Sequence, residues 1–439
     1  EQIVRELGLS TRQRREFEPI YKAYREALDK AVDARAGASG ADEATQKNSL
    51  KAKLSNIAAT AQVKRDYVDK FAAVLTAEQI RRLYNTEGEI GTNIKRAAFD
   101  RSSRTRSGRL KGSGRMVTQD WGKAGDYTGI SAAAFFDITV SPAAKTISVT
   151  ADDNVIDYLV LERDGGKLKF RVNANSTENI SVSVTVPASA SLREISAGSY
   201  GKVNCKMPLK GPSVSVSVSS YGSVSADIDT PGAAKLDVSS YGKFAGSVRC
   251  GDGELRISSY GSAQAPVECR NSCKLTVGSY AKFSNDIKAS DLTVEVSSGA
   301  SVGSTLTADA LTMRIDSYAK FSGTVTVNAR QAKLTVSSGG SFNGTFSGSS
   351  LEASVGSYGK IYLKGTAQVA DATVRVSSGA NFSAPELRVS DYDLTVSNYA
   401  KADVWCSGRL KINASTAAKV TYGGPCTVET VSDNIQRRK

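Results

Sequence analysis

The chain of 439 residues contains no histidine. This absence excludes Ser-His and Cys-His nucleophile pairs, histidine-ligated zinc and haem sites, and acid–base catalysis by imidazole. An enzyme with this composition would depend on carboxylates, lysine or tyrosine. We therefore expect a protein that is not an enzyme and that uses no metal and no cofactor.

Long apolar runs are also absent. No run of about 18 apolar residues occurs, so no transmembrane segment is expected. The chain begins Glu1-Gln2-Ile3 rather than with methionine, which we interpret as a mature or truncated form of an exported protein. Aromatic residues make up only 7% of the chain, whereas serine, valine and alanine dominate its C-terminal part, a composition typical of many short strands.

Acidic residues are scarce in one segment that carries much of the net charge of +13. Residues 95–115 contain eight basic residues and one acidic residue, Asp100, with serine and glycine between them. We interpret residues 98–117 as a flexible basic linker. No aromatic platform or nucleic-acid motif accompanies the charge, so nucleic acid is not an expected partner. Contact with an anionic surface, such as lipopolysaccharide or cell-wall polymer, is the alternative.

Residues 1–97 have the apolar periodicity of helices, broken by a loop at Ala36-Gly37-Ala38-Ser39-Gly40. Two five-residue motifs, Leu9-Ser10-Thr11-Arg12-Gln13 and Leu75-Thr76-Ala77-Glu78-Gln79, place a hydroxyl residue three positions before glutamine. This spacing is a capping box and predicts two helix starts. The pair of motifs in a helical hairpin resembles the periplasmic Spy-like family with its LTxxQ motifs. That resemblance implies export to the periplasm and a chaperone-like or stress-related role.

From Met116 the pattern changes to short alternating segments, and then to a repeat. Aligning the chain on the tyrosine of Ser-Tyr-Gly-Lys gives anchor positions separated by 18 to 21 residues. The anchors are Tyr200, Tyr221, Tyr241, Tyr260, Tyr280, Gly299, Tyr318, Gly339, Tyr358, Gly379, Tyr399 and Ala417. A period near 20 residues is typical of one coil of a solenoid.

Within each repeat, apolar residues occupy the positions five and three before the anchor, and a polar residue lies between them, as in Leu236-Asp237-Val238. This alternation predicts a strand with one face inward. Stacking such strands would build an apolar interior that no single repeat could bury. The sequence therefore predicts a parallel β-helix of about 12 coils within residues 118–430, followed by a tail at 431–439.

The same alternation predicts which polar residues face outward. It places a row of serines, one before each anchor, inside the solenoid, and it places the anchor tyrosines outside. Two positions after the anchor, lysine occurs in every second coil from Lys202 to Lys401, and Lys419 follows in the last repeat. The candidate binding strip consists of Tyr200, Tyr221, Tyr241, Tyr260 and Tyr280 with Lys202, Lys243 and Lys282. One interpretation is that the tyrosines stack and only stiffen the solenoid. The other is that they form a binding strip for a glycan or peptide.

Six cysteines occur, all in the β region. Cys250 and Cys269 each lie nine residues after an anchor, so they should be neighbours on adjacent coils and form a disulfide. Cys406 and Cys426 are 20 residues apart, about one coil, and are the second candidate pair. Cys205 and Cys273 have no evident partner, and free buried thiols are the alternative for all six. The absence of histidine and of a CxxC motif disfavours a metal site and favours an oxidising compartment.

The β region resembles the auto-transporter adhesin head domain known as the GIN domain. The resemblance rests on Phe136-Asp137-Ile138-Thr139-Val140, on residues 147–154 and 164–170, and on the coil signatures Gly198-Ser199-Tyr200-Gly201 and Ser297-Ser298-Gly299-Ala300. It implies a right-handed β-helical fold on an exported protein and supplies no catalytic residue.

Together these features predict an α+β multidomain chain, with an N-terminal α-helical hairpin followed by the parallel β-helix. The expected function is that of a non-catalytic exported envelope protein, an adhesin or ligand-binding scaffold in the periplasm or on the surface of a Gram-negative bacterium. Its partner would be a glycan, a cell-wall or envelope polymer, or a protein. A β-helical polysaccharide-active enzyme and a Spy-like chaperone are the alternatives, although the outward acids Asp237, Glu295, Asp316 and Glu352 share no common offset.

Overall fold

A computed structural model describes residues 7, 9, 11–31, 43–81, 83–84, 110–133, 135–174, 176–329, 331–430 and 434–438. The chain forms two compact units, Glu1–Ser107 and Gly108–Lys439. Each unit has a hydrophobic core of its own and is described separately.

The first unit is helical. Helix α1 spans Thr11–Lys30, helix α2 spans Glu43–Ala72, and a third helical segment covers residues 77–81. Phe17 and Tyr24 of α1 are buried against Phe71 of α2, with ring centroids 5.8 Å and 5.3 Å from that of Phe71. The 3.6-residue period of these apolar side chains therefore forms the expected helix contact. None of the described helices combines the length and hydrophobicity that a membrane span requires.

The predicted capping box at Thr76 is present. The backbone N–H of Gln79 donates to Thr76 Oγ1 at 3.3 Å, and the backbone N–H of Thr76 donates to Gln79 Oε1 at 3.0 Å. Each partner thus satisfies a backbone donor that a helix start leaves free. In the first motif Ser10 lies outside the described residues.

The second unit begins with strands that close one end of the solenoid. The strands are β1 Leu110–Lys111, β2 Met116–Asp120, β3 Gly129–Ala132, β4 Phe136–Ser141, β5 Ser148–Asp152, β6 Leu159–Asp164, β7 Lys167–Val172, β8 Thr177–Glu178 and β9 Val182–Pro187, with a short 3-10 helix at Ile156–Tyr158. The antiparallel pairs among the described strands, β2–β5, β5–β9 and β6–β7, all lie here. Residues 98–109 of the predicted linker lie outside the described residues, and from Leu110 the chain already pairs as strand β1 with β8.

The following strands stack in parallel, coil on coil. They are β10 Glu194–Ala197, β11 Lys202–Cys205, β12 Ser213–Val218, β13 Ser223–Ser225, β14 Ile228–Asp229, β15 Ala233–Val238, β16 Lys243–Ala245, β17 Val248–Cys250, β18 Asp252–Ile257, β19 Ser262–Gln264, β20 Val267–Cys269, β21 Ser272–Val277 and β22 Lys282–Ser284. Longer strands then follow the turns of the coil: β23 Ile287–Val296, β24 Ser301–Ile315, β25 Lys320–Val327, β26 Ala332–Val336, β27 Ser341–Gly348, β28 Ser350–Val355, β29 Lys360–Val376 and β30 Asn381–Val396. The last strands are β31 Lys401–Cys406, β32 Arg409–Ala414, β33 Lys419–Gly423, β34 Thr427–Thr430 and β35 Ile435–Arg437.

The register between coils is the one that the repeat predicts. Leu236 pairs with Val216 on one side and with Leu255 on the other, and the same alignment continues along the solenoid. The two apolar rows five and three positions before the anchor are buried, except Ala414, which is partly buried. The prediction of a β-solenoid of about 12 coils is therefore confirmed. Strand β35 pairs with β33, so residues 435–437 belong to the last coil rather than to a tail.

A third apolar row completes the interior three positions after the anchor. It contains several of the large buried side chains of the solenoid core, including Phe244, Phe283, Phe321 and Phe342. The rings of Phe321 and Phe342 stack at 5.0 Å because their strands are in register. Stacking of the coils thus buries aromatic and aliphatic rows alike.

Candidate functional site

The turn at each anchor decides which side chains reach the surface. In the coil of Tyr221, both Ser220 (φ 48°) and Tyr221 (φ 62°) adopt the left-handed conformation, and the other Ser-Tyr turns from Tyr200 to Tyr358 do the same. The backbone N–H of Tyr221 donates to the carbonyl of Ser240 in the next coil at 3.0 Å, and that of Gly222 donates to the carbonyl of Ser219 at 2.7 Å. These hydrogen bonds hold a backbone conformation that non-glycine residues seldom adopt.

This turn overturns one prediction. The serines that directly precede the anchors, such as Ser220 and Ser240, are exposed and do not point into the solenoid. Strand alternation places successive side chains on opposite faces only while the backbone is extended. Two consecutive left-handed residues interrupt that alternation, so the serine and the tyrosine both face solvent, and the small residue after the anchor, such as Gly222, is buried.

The five predicted tyrosines lie side by side on consecutive coils. Their ring centroids are 5.0 Å apart from Tyr200 to Tyr221, 4.8 Å from Tyr221 to Tyr241, 5.0 Å from Tyr241 to Tyr260 and 5.3 Å from Tyr260 to Tyr280. Successive ring planes differ by at most 11°. The parallel-strand spacing near 4.8 Å thus sets a nearly ideal stacking distance. We call Tyr200, Tyr221, Tyr241, Tyr260 and Tyr280 the tyrosine strip.

The tyrosine strip remains open to solvent along its edge. Between 45% and 61% of each residue's surface is exposed. The serine row and the tyrosines of four coils line an open groove of about 460 Å³. The groove combines flat apolar ring surface with hydroxyl groups and contains no carboxylate among its lining residues, which are Ser199, Tyr200, Ser220, Tyr221, Ser240, Tyr241, Ser259 and Tyr260.

The aromatic stack has one further member that the repeat alignment does not predict. Phe135 occupies the turn of the preceding coil and stacks on Tyr200, with ring centroids 5.4 Å apart. Strand β3 pairs with β10, and β4 pairs with β11, so Phe135 is the equivalent of an anchor. The signal was present in the spacing of Ile130, Ala132 and Phe135, but the strands β5 to β9 separate this coil from the next and hide the period.

The predicted lysines begin the strands that follow the turns. Lys202, Lys243 and Lys282 are exposed and lie in the coils of Tyr200, Tyr241 and Tyr280. They therefore accompany every second ring of the tyrosine strip. All eight residues of the predicted strip are therefore exposed, either at the turns or at the start of the strands that follow them.

The cysteines cluster inside the solenoid. Cys250 and Cys269 are register partners on β17 and β20, and their Sγ atoms are 3.0 Å apart as free thiols. Cys273, for which the sequence offered no partner, is four residues after Cys269 and is the register partner of Gly253 on the neighbouring coil. Gly253 makes room for this group, since a Cβ there would lie 2.6 Å from Cys269 Sγ. The Cys250–Cys269 disulfide stays a prediction.

The second predicted pair lies at the far end of the unit. Cys406 is buried and its Sγ donates to the backbone carbonyl of Ser390 at 3.0 Å, while Cys426 is partly buried. Burial raises the pKa of Cys406 to about 11. Cys205 Sγ donates to the carbonyl of Met207 at 3.2 Å.

Carboxylate and thiol side chains are the candidate reactive or metal-binding groups of this histidine-free chain. No group of three Cys, Asp or Glu side chains there is arranged to hold a metal ion. Of the outward acids considered in the sequence, Glu295, Asp316 and Glu352 each form an ion pair with a basic side chain on the same or a neighbouring coil. They lie on different coils and do not converge on one point.

Comparison with known proteins gives structural relatives of low similarity. A crystal structure described as a "putative adhesin" from Parabacteroides merdae ATCC 43184 has 13% identity over 75% of this chain and 99% of its own, with a TM-score of 0.29. A "putative adhesin" from Bacteroides fragilis NCTC 9343 has 15% identity over 61% of this chain and 99% of its own, with a TM-score of 0.29. A "putative lipid binding protein" from Parabacteroides distasonis ATCC 8503 has 17% identity over 76% of this chain and 100% of its own, with a TM-score of 0.22. TM-scores this low carry no inference about function.

A match to a protein family is more extensive. No curated protein matches the chain significantly. One family model, however, matches residues 126–304 and 314–425, about two-thirds of the chain and nearly the whole solenoid. The match begins at residue 126, so the resemblance of the helical unit to the Spy-like family stays a prediction. The chain belongs to the family described as "Putative auto-transporter adhesin, head GIN domain".

Proposed function

We propose that this chain is an exported, non-catalytic envelope protein whose solenoid displays the tyrosine strip as an adhesive surface for a glycan. The observation that carries the proposal is the uninterrupted stack of five exposed tyrosines, extended by Phe135. About half of each tyrosine's surface remains in solvent, so the strip is accessible to a ligand.

The chemistry of the strip suits a sugar chain. Tyrosine offers a rigid, flat apolar surface with a polar hydroxyl, which is the combination that binding surfaces favour. The serine row adjoining the rings supplies hydroxyl donors and acceptors. A pyranose ring has an apolar face and a hydroxyl rim, so it can lie against the rings while its rim bonds to serine. The adhesin description of the family agrees with a binding role.

Immobilised glycans test the proposal directly. The wild-type protein and the variant Tyr221→Ala/Tyr241→Ala are applied to a panel of neutral and acidic glycans, and capture is measured by titration. Loss of two ring contacts of about 1 kcal/mol each should weaken capture about 30-fold. The conservative variant Tyr221→Phe/Tyr241→Phe retains the rings and should keep most of the affinity.

Two controls separate binding from folding. Met116 is 46% exposed on strand β2, outside the turns, so Met116→Ala should bind like the wild type. Thermal unfolding of each variant shows whether the solenoid is intact. Unchanged capture by an intact Tyr221→Ala/Tyr241→Ala variant would overturn the proposal. Protease treatment of intact cells tests the expected location, since a surface adhesin would be digested and a periplasmic protein would be protected.

A further inference from the structure

A row of unpaired lysines follows the turns along the solenoid. It consists of Lys202, Lys243, Lys282, Lys320, Lys360 and Lys401, which we call the lysine row. All six are exposed, and none forms an ion pair or a side-chain hydrogen bond within the described part of the chain. Because lysine occurs in every second coil, the charges are about 10 Å apart, twice the strand spacing.

Several lysines on the strands before the turns, unlike the lysine row, form ion pairs. Lys274 pairs with Glu295 at 3.0 Å, Lys333 with Glu352 at 3.4 Å and Lys411 with Asp393 at 3.3 Å. Each of these three lysines has a carboxylate on the neighbouring coil. On the face of the lysine row, the outward positions two and four after the anchor carry no carboxylate from the coil of Tyr200 to that of Tyr358. The structure thus concentrates uncompensated positive charge on one face.

In the second half of the solenoid the rings share the period of the lysines. Tyr318, Tyr358 and Tyr399 lie in the coils of Lys320, Lys360 and Lys401, and glycine is the anchor of the coils before each of them. A Cβ at Gly339 would lie 2.8 Å from the ring of Tyr318, and one at Gly379 would lie 2.9 Å from the ring of Tyr358. The rings of Tyr318 and Tyr358 therefore lean over a glycine of the following coil, where no second ring covers them.

These isolated rings are the most exposed aromatic residues described in the chain. Tyr318, Tyr358 and Tyr399 are 77%, 74% and 78% exposed, compared with 45–61% in the tyrosine strip. Ser341 and Asn381 occupy the lysine positions of the intervening glycine coils. This half of the face therefore offers one aromatic surface and one cation in every second coil, with a neutral hydrogen-bonding group between.

We propose that this surface binds an acidic polysaccharide that lies along the solenoid axis and carries one carboxylate per disaccharide. The proposal rests on the proposed glycan-binding function and specifies its ligand class. In such a polymer every second sugar has the same orientation, so one ring face and one negative charge recur once per disaccharide. The two-coil period of Tyr318, Tyr358 and Tyr399 with Lys320, Lys360 and Lys401 matches that arrangement in both respects.

A lipid surface fits this face less well. Membrane-binding faces bury long aliphatic or tryptophan side chains beneath their basic residues. Apart from Tyr362 on strand β29, the exposed large side chains on the lysine face are tyrosines held at turns by a rigid backbone. The charges also form a single line instead of a broad patch, which suits a linear polymer.

Binding measurements with defined polymers test the inference. The probes are hyaluronan oligosaccharides, with one carboxylate per disaccharide, uncharged chitin oligosaccharides of the same length, and phosphatidylglycerol vesicles. Lys320→Gln/Lys360→Gln/Lys401→Gln should weaken hyaluronan binding about tenfold, since exposed ion pairs contribute modestly one by one. Lys274→Gln/Lys333→Gln/Lys411→Gln removes the same number of charges from the strands before the turns and should change affinity less than about twofold.

The outcomes also separate this inference from the function on which it rests. Equal weakening by the two triple variants, tighter binding of chitin than of hyaluronan, or preferential capture of the vesicles would overturn the inference. In those cases, neutral-glycan capture that depends on Tyr221 and Tyr241 would leave the proposed function standing. If neither polymer nor any glycan of the panel binds the wild-type protein, both fail together.

Discussion

Phe135 stacks on Tyr200, with ring centroids 5.4 Å apart and ring planes within 11° of each other. The contact extends the tyrosine strip onto the first coil, whose strands also take part in the closed end of the solenoid. Phe135 is therefore the terminal ring of a stack of six.

Removal of that terminal ring should loosen the first coil. We expect Phe135→Ala to lower the free energy of unfolding of the solenoid by about 0.5–1.5 kcal/mol, the usual value of an aromatic pair. Phe135→Tyr retains the ring and should match the wild type. Urea denaturation measures both, and equal stability of Phe135→Ala and wild type would show that the terminal ring adds nothing.

The interior rows should be far more sensitive than the outward positions between them. Leu255 is 1% exposed between Leu236 and Leu275 of the adjacent coils. Leu255→Ala should cost about 2–5 kcal/mol, because it leaves a cavity in a stacked core. Arg256→Ala, at the neighbouring outward position, should cost less than about 0.5 kcal/mol. Denaturant midpoints that do not differ between the two variants would contradict the inward assignment.

The two capping motifs should prove to be coupled. Gln13 Nε2 donates to Gln79 Oε1 at 3.3 Å and to the carbonyl of Val74 at 3.2 Å, while Gln79 Nε2 donates to the carbonyl of Leu7 at 3.3 Å. Gln79→Ala should destabilise the helical unit by about 1 kcal/mol, the typical value of a lost cap.

A double-mutant cycle tests that coupling. The change in the free energy of unfolding of the double variant should differ from the sum of the changes for Gln13→Ala and Gln79→Ala by about 0.5 kcal/mol or more. The reason is that the two side chains share a hydrogen bond. Gln62, which only pairs with Asp66 on an exposed helix face, is the control. The helical circular dichroism signal during thermal unfolding measures each variant, and strict additivity would refute the coupling.

Oxidation should join Cys250 to Cys269. Their register pairing and the 3.0 Å separation of the thiols place them within reach of a disulfide without rearrangement of the coils. Peptide mapping of the protein after exposure to oxidised glutathione should recover this cross-linked pair. Cys205→Ser should leave the yield unchanged, because its thiol bonds to the backbone of Met207. Recovery of a Cys269–Cys273 bond in place of Cys250–Cys269 would contradict the prediction.

Alkaline pH should destabilise the solenoid through Cys406. Burial raises the pKa of its thiol to about 11, above the ordinary value of 9.0. A group whose pKa is raised on folding supports the folded state fully below its unfolded pKa, and that support declines as pH rises between the two values. Under reducing conditions, the melting temperature of the wild type should therefore fall more steeply from pH 9 to 11 than that of Cys406→Ala. Parallel pH profiles would show that the thiol stays protonated in both states or titrates equally.

The sequence alone was sufficient for the solenoid and its inner rows. A side chain that must face inward once per coil repeats with the coil, so residues such as Leu236 and Leu255 reveal both the period and the register. The same period identified the tyrosine strip and the neighbouring positions of Cys250 and Cys269. The helix cap at Thr76 could also be predicted from the sequence, because it involves residues only three positions apart.

Other features depended on contacts that no local pattern encodes. The serines at the turns face solvent because two successive left-handed residues break the strand alternation. Phe135 joins the stack only through pairing across the inserted strands β5 to β9. The sequence repeat does not distinguish paired from unpaired lysines. In the described part of the folded chain, Lys274 forms an ion pair with Glu295, whereas the lysine row forms none. The sequence by itself thus determined the coil and its interior, since burial imposes a period, whereas the chemistry of the surface followed from which side chains the coils bring together.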